Sequence, residues 1–269
     1  LYTSRLPDST THERYAGYYD VDNLSVPEFL LKRIAEIVAG FSRYRKTNRL
    51  LEVGFGAATT LEAARKANWE TSGIEVSSRA IEHARQLGFD VFEGELQKAK
   101  YPAAHFDVVV ASEILEHVPD PSLLAEEIRR VLRPGGMLWA TTPNVHSLSG
   151  RLLKRNWSAV CPPEHLQLFS RAGIAKMLRS AGFRSIWTCT EGLNPYELRQ
   201  ALPGRQSSSS DSGAPGGCER VRTGYELNEA LMQSPLRRSI KTTANVVLRA
   251  TGLGDSLKIW AETKEEGIA

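Results

Sequence analysis

Two groups of residues in this chain have the types and spacing for chemistry. The first is "LLEVGFGAATT", residues 50–60, an apolar run closing in a glycine-rich turn, with a carboxylate, Glu52, just ahead of Gly54. The second is "SEILEHVPDP", residues 112–121. Here Glu113, Glu116 and His117 stand at i, i+3 and i+4, and on a helical turn they share one face. Another histidine, His165, follows in "PPEHLQLFS". Two chemistries fit this second group. A histidine among carboxylates can take a hydroxyl proton as general base, His117 first and His165 next, with Glu113 beside them. Alternatively, Glu113, Glu116, His117 and His165 together ligate one divalent cation that acidifies the same hydroxyl. Ligand spacing without a fixed fourth ligand is weak evidence for a metal, so the base reading is preferred and no metal is assigned. His83, His105 and His146 read as ordinary surface or loop residues.

The glycine turn constrains its ligand. Gly54 and Gly56 let the backbone bend sharply and come close to a bound molecule. A dinucleotide fingerprint needs a third glycine where Thr59 stands, and Glu52 beside a pyrophosphate adds like-charge repulsion. A ligand carrying an ammonium and a sulfonium, and no phosphate, suits Glu52; S-adenosylmethionine is such a ligand. Glu75 ends the next apolar run, one βα unit downstream, where a carboxylate accepts hydrogen bonds from both ribose hydroxyls.

These residues need elements to hold them. "VPEFLLKRIAEIVAGF" has helical spacing, with Pro27 at its start and Gly40 near its end. Strands and helices then alternate: "RLLEVG", "AATTLEAARKA", "TSGIEV", then "SSRAIEHARQLG" with a serine cap and closing Gly88. "FDVFEG" follows, and "FDVVVAS" is apolar on both faces, as a central parallel strand is. "PSLLAEEIRRVL" is a helix stopped by "RPGG", before the strand "MLWATTP", the helix "SRAGIAKMLRSAG" and the strand "FRSIWTCT". This alternation gives an α/β protein with a doubly wound parallel sheet whose ligands bind at the carboxyl ends of the strands. Four segments result: a leader and cap helix in 1–45, a core in 46–191, an insertion in 192–255, and a last strand in 256–264. Within the insertion, "PGRQSSSSDSGAPGG" (203–217) has a disordered composition, and two helices break near Pro235.

The chain has 269 residues and a net charge of +3, too small to argue for nucleic acid. Its three cysteines, Cys161, Cys189 and Cys218, are far apart and odd in number, which fits free thiols in the cytoplasm. No apolar run reaches the length of a membrane span. The sequence begins at Leu1, and the native protein is expected to start earlier.

The segments "LLEVGFGAATT", "GIEVSSRAIEHAR", "FEGEL", "FDVVVASEILEHVPDP", "RRVLRPGGMLWATTPN" and "PEHLQLFSRAGIAKMLRSAGF" follow one family order. The chain resembles a class I S-adenosylmethionine-dependent methyltransferase, of the branch holding ubiquinone-pathway O-methyltransferases and sugar and natural-product methyltransferases. Ala58 stands where that family usually has a third glycine. The resemblance implies a Rossmann-like, mostly parallel sheet with an antiparallel last strand, an N-terminal helical leader, and a helical insertion before that strand. It implies that Glu52, Gly54, Phe55 and Gly56 frame the methionine end, while Glu75 holds the ribose and Val76 the adenine. Glu95 and Leu96 then lie at the adenine edge, with Ala111 and Ser112 beside the methyl donor. Tyr18 and Tyr19 either close over the cofactor or pack on the domain. In much of the class "LEHVPDP" holds no metal, and Glu116 then faces solvent; small-RNA 2′-O-methyltransferases carry a similar metal-binding cluster. His165 otherwise caps the helix after Ser170. The leader is similar to a segment that follows a small zinc module in related enzymes. The implied activity is methyl transfer to oxygen of a small-molecule, sugar or lipid acceptor, leaving S-adenosylhomocysteine. Basic residues in "RLLKRNWSAVCPPEH" suit an anionic or lipid-linked acceptor; the helices of the 192–255 insertion are expected to form a lid over the acceptor, and the basic helix after Pro235 is read as packed rather than membrane-bound. A metal-dependent RNA 2′-O-methyltransferase and a non-catalytic binding protein of the same fold are the alternatives.

Overall fold

The computed structural model describes residues 26–194 and 235–265. Tyr18, Tyr19, the 203–217 stretch and the helix expected before Pro235 lie outside them. Helix α1 (Glu28–Ala39) opens behind Pro27 and runs into a 3-10 turn, Gly40–Tyr44. The alternation then proceeds through β1 (Arg49–Val53), α2 (Thr59–Lys66), β2 (Glu70–Glu75), α3 (Ser78–Gln86), β3 (Val91–Glu93) and the short α4 (Leu96–Ala99). β4 (Phe106–Ser112), α5 (Pro121–Val131), β5 (Leu132–Pro143), α6 (Leu148–Leu153), α7 (Arg171–Ser180) and β6 (Ser185–Glu191) follow. α8 (Pro235–Thr251) and β7 (Ser256–Glu262) complete the described elements.

The seven strands form one sheet in the order β3-β2-β1-β4-β5-β7-β6. β1 pairs in parallel with β2 on one side and β4 on the other. That reversal of winding opens a crevice at the carboxyl ends of β1 and β4, where α/β sheets bind ligands. β7 runs antiparallel to β5: Asn144 N bonds Asp255 O at one end, and Thr263 N bonds Gly136 O at the other. β4 is buried along its length up to Ser112, as a central strand covered on both faces must be.

Two apolar clusters hold the helices on. Val38 of α1, with Phe41 and Tyr44, packs against Leu50, Val108, Val110, Met137 and Trp139 of β1, β4 and β5. The leader helix is therefore an integral cover for the central strands. The second cluster joins Phe55, Ala58 and Leu61 to Ala80, Ile81 and Ala84 of α3. α2 contributes Leu61 to one cluster and Ala64 to the other, so it is shared by both.

Two local expectations are corrected. Ser77 stands at the N-cap of α3, but its hydroxyl makes no cap bond. "RPGG" does not stop α5 outside the sheet; β5 begins at Leu132, directly after the helix, and runs through these residues. Pairing with β4 shifts between Phe106↔Leu132 and Val108↔Met137, which accommodates the extra residues. Within this shifted stretch Arg133 turns inward to Asp107, with Nε 2.5 Å from Oδ1. Arg133 also donates to the carbonyls of Tyr44 and Pro134. Asp107 Oδ2 accepts from the backbone N–H groups of Lys46, Thr47 and Asn48 at 2.7–2.9 Å. One buried carboxylate thus ties the segment before β1 to the amino ends of β4 and β5.

Contacts divide the chain into two units, one from Leu1–Thr142, Pro162–Thr188 and Lys258–Ala269, the other from Pro143–Cys161 and Cys189–Leu257. Within the second, α8 is fixed by Arg249 Nη2 on Glu191 Oε2 at 2.6 Å and by Thr190 Oγ1 on Leu248 O at 2.8 Å. Gly254 passes so close to the backbone of Glu191 that a Cβ would meet its N at 2.4 Å. Arg151, Lys154 and Arg155 of this unit are exposed and Trp157 is buried. No described helix is long and apolar enough to cross a membrane.

Burial works against the Asp107 carboxylate, but Arg133 and the N–H groups of Lys46 and Thr47 hold its pKa below the ordinary range. Asp107→Ala leaves Arg133 buried without its partner and is expected to cost about 3–5 kcal/mol. Urea unfolding of the two proteins measures this. A depressed carboxylate stabilises the fold above its unfolded pKa and loses that contribution in acid, so the deficit of the variant shrinks as pH falls below about 4.

Candidate functional site

The crevice at the carboxyl ends of β1, β2 and β4 is a cavity of about 550 Å³, a size suited to a nucleoside-class ligand. Val53 and Gly54 wall it from the first turn, and Ile74, Glu75 and Val76 from the second. Glu95 and Leu96 after β3, Ser112 at the end of β4, and Glu113 and His117 after it continue the wall. Pro119, Asp120, Leu123 and Leu124, at the start of α5, complete it; only their place after "EHV" could have pointed to them.

The glycine turn is built as its residue types require. Gly54 and Gly56 have φ of +71° and +51°, backbone that side chains rarely adopt. Ala58 also lies in the left-handed region, with φ 58°, immediately before α2. That costs an alanine about 1–2 kcal/mol. Burying its methyl against Phe55 and Leu61 returns about 0.8 kcal/mol. Ile114 reaches over Gly54, where a Cβ would stand 2.0 Å from its Cδ1.

Glu75 fastens this turn to the next one. Its Oε2 accepts from Gly56 N at 3.1 Å, and its Oε1 from Val76 N at 2.7 Å and Ser77 N at 3.1 Å. Burial raises its pKa, and the three N–H groups oppose that rise. A carboxylate has about four lone-pair positions, so capacity remains for a ligand hydroxyl. Glu52 lies behind the cavity wall, wholly buried, with Oε2 lacking any protein partner. Burial pushes its pKa up to about 8, despite bonds from the Thr60 hydroxyl and the Leu61 N–H, and the charge of Glu75 adds to the rise.

Of the cofactor residues expected from sequence, Gly54, Glu75, Val76, Glu95, Leu96 and Ser112 line the cavity. Phe55 does not: its ring is in the core cluster with α3, so only its backbone belongs to the turn. Gly56 acts through its N–H on Glu75, and Ala111 is sealed inside β4. Ser112 Oγ is 2.9 Å from Thr141 Oγ1.

The segment after β4 corrects a second expectation. Residues 113–119 form turns, not a helix, and Glu113 has φ +54°. Glu113 is exposed while Glu116 is turned inward and wholly buried, so Glu116 does not meet solvent, although its carboxyl still interacts with that of Glu113. Glu116 Oε2 accepts from Thr142 Oγ1 at 2.9 Å; Oε1 has no hydrogen-bond partner and stands 3.9 Å from His117 Nε2. Burial raises the Glu116 pKa well above the ordinary range, and the nearby Glu113 charge raises it further. His165 packs edge-on against His117, with ring centroids 4.6 Å apart. It does not cap α7, because Ser170 Oγ does that by accepting from Gly173 N. Glu116, His117 and His165 bring one candidate ligand atom each within 4.8 Å of one another, three of the ligands a divalent cation needs. Glu113 is not part of that trio. The cavity is lined by His117 and Glu113, and neither Glu116 nor His165 is among its lining residues.

Comparison with known proteins adds to this geometry. Residues 26–187 match the family model described as a methyltransferase domain. A ubiquinone biosynthesis O-methyltransferase from Thiobacillus denitrificans is 33% identical over 156 residues, covering 51% of this chain and 65% of the relative. A 27-O-demethylrifamycin SV methyltransferase from Amycolatopsis mediterranei is 33% identical over 131 residues, covering 45% of this chain and 48% of the relative. The chain thus spans about half to two thirds of the length of these curated relatives. Among solved structures, a SAM-dependent methyltransferase from Archaeoglobus fulgidus superposes with a TM-score of 0.58 at 17% identity, covering 90% of this chain and 96% of that one. At that identity the likeness speaks for the fold.

Glu52 makes stability depend on pH in a defined direction. Its folded pKa of about 8 lies above its ordinary 4.5, so the folded state holds a proton that the unfolded state has lost. Stability therefore falls as pH rises between these values. Glu52→Gln keeps the shape and removes the proton. Urea unfolding at pH 5 and pH 8 is expected to show the variant gaining on the wild type as pH rises.

Proposed function

The chain belongs to the methyltransferase-domain family of class I, S-adenosylmethionine-dependent enzymes, and from that premise we propose that it methylates a hydroxyl oxygen of a small organic acceptor. The observation that carries the reading is a cavity with Glu75 and the Gly54 turn along one wall and His117 on another. The names of the two relatives, both O-methyltransferases of small organic molecules, support oxygen as the target.

The residues fit the cofactor. Gly54 lines the cavity beside Ile114, Glu75 has lone pairs for ribose hydroxyls, and Glu95 and Leu96 are assigned to the adenine end. Acidic residues predominate: Glu75, Glu95, Glu113 and Asp120 line the cavity against one lysine, Lys98, which suits a cationic ligand. The buried Glu52 carboxyl adds a negative charge behind the turn once a ligand ammonium favours its ionised form. When bound, the cofactor supplies an electrophilic methyl group on sulfur. The protein's part is to align the acceptor oxygen, exclude water and take the hydroxyl proton. His117 is the base because it alone of the two histidines lines the cavity; His165 packs edge-on against it. The acceptor is a small molecule, with anionic and lipid-linked forms included in the screen.

A second reading has one observation in its favour. The trio Glu116, His117 and His165 has the spacing of a divalent-cation site, and such an ion would acidify the acceptor hydroxyl directly.

Calorimetric titration with S-adenosylhomocysteine tests the first claim. A dissociation constant of about micromolar order is expected, unchanged by EDTA. Glu75→Ala is expected to weaken binding about 100-fold, the loss of two hydrogen bonds to a charged group. Absence of binding by a folded protein overturns the reading. With an acceptor in hand, His117→Gln is expected to lower kcat about 10²–10⁴-fold while S-adenosylhomocysteine binding is kept. Stoichiometric metal in the purified protein, with activity lost to EDTA, favours the second reading.

A further inference from the structure

We propose that Gln167 is a positioning residue that fixes the tautomer and orientation of His117, an inference that rests on the reading of His117 as the reacting histidine. Gln167 lies in the segment after β5, far in sequence from the β4 turn, and no motif of the sequence gave it a role. Its side-chain amide spans that turn: Nε2 donates to Val118 O at 2.8 Å and to Leu115 O at 3.2 Å. Between those carbonyls, Glu116 O accepts from Leu166 N at 2.8 Å and more weakly from Gln167 N at 3.4 Å. Carbonyls on both sides of His117 are therefore held by two consecutive residues of one strand-like segment.

The same docking brings Glu164 O to 3.0 Å from His117 Nδ1. A carbonyl only accepts, so Nδ1 carries the hydrogen and Nε2 is the basic nitrogen of the neutral ring. Glu164 is three residues before Gln167, so the place of its carbonyl depends on how this segment is seated. Nε2 is the nitrogen 3.9 Å from Glu116 Oε1. A nitrogen that is to take a proton must be the unprotonated one, and the free imidazole would divide itself between two tautomers. Gln167 removes that choice by clamping the two segments together. It does not line the cavity, so its removal is expected to spare cofactor binding.

The test is nitrogen-15 correlation spectroscopy of the full chain in EDTA-treated buffer, with S-adenosylhomocysteine bound. His117 signals are assigned by their loss in His117→Gln. The wild type is expected to show a single neutral tautomer with hydrogen on Nδ1. Gln167→Met, which keeps length and shape without the donors, is expected to give a mixture of tautomers, with S-adenosylhomocysteine affinity within about twofold of wild type. The proposal is overturned if wild-type His117 carries its hydrogen on Nε2, or if the folded variant keeps one Nδ1–H tautomer. Where Gln167→Met does not fold, Gln167→Leu, which likewise lacks the amide donors, is read in the same way. Failure of the base reading is separate: it shows as unchanged kcat in His117→Gln, whatever the spectra give.

Discussion

The Glu75 carboxylate is the joint on which the ligand end of the sheet depends. β1 and β2 end side by side, and each leaves a turn with backbone N–H groups that no strand can satisfy. Glu75 accepts Gly56 N from one turn and Val76 N and Ser77 N from the other. Unmet, each donor would cost about 1–3 kcal/mol in so buried a place. One side chain thus fixes the glycine turn, sets the near wall of the cavity and keeps lone pairs for a ligand. Burying a carboxylate here is costly, and the three donors lower that cost without removing it. Glu52, nearby and less well satisfied, settles the matter differently, with a pKa high enough to stay protonated near neutrality in the free protein.

The opposite wall rests on a second backbone clamp. The turn after β4 has no helix to satisfy its carbonyls, and Leu166 and Gln167 supply the missing donors. That docking buries Glu116 and seats His165 against His117. The amino ends of the same strands are fixed by Asp107 and Arg133, at the far end of β4 from the cavity. The Asp107–Arg133 joint and the cavity thereby lie at opposite ends of the central strands, as expected for a sheet that binds its ligand at the carboxyl ends of its strands.

Much of this was legible in local patterns. Strand and helix alternation gave the parallel core, since period and punctuation are local properties. Gly54 and Gly56 announced a turn with positive φ, and the two glutamates at strand ends pointed to a cationic nucleoside ligand. Phe55 shows where such reading stops. Its position in the turn suggested ligand contact, yet its ring belongs to the α3 cluster. "RPGG" misled for a similar reason: glycine and proline ordinarily end structure, but here they lie inside β5, where the pairing with β4 shifts and Arg133 meets Asp107.

By itself the sequence determined the order of elements and the end of the sheet at which the cavity opens, and it singled out Glu52 and Glu75 there. These follow from hydrophobic period, from the conformational freedom of glycine and from the charge a ligand must match, all written within a few residues. Only the tertiary structure decided that Glu116 turns inward, that His117 rather than His165 reaches the cavity, and that Gln167 spans the turn between them. Those outcomes depend on which unsatisfied backbone groups meet when segments about fifty residues apart are pressed together, and no local spacing encodes that meeting.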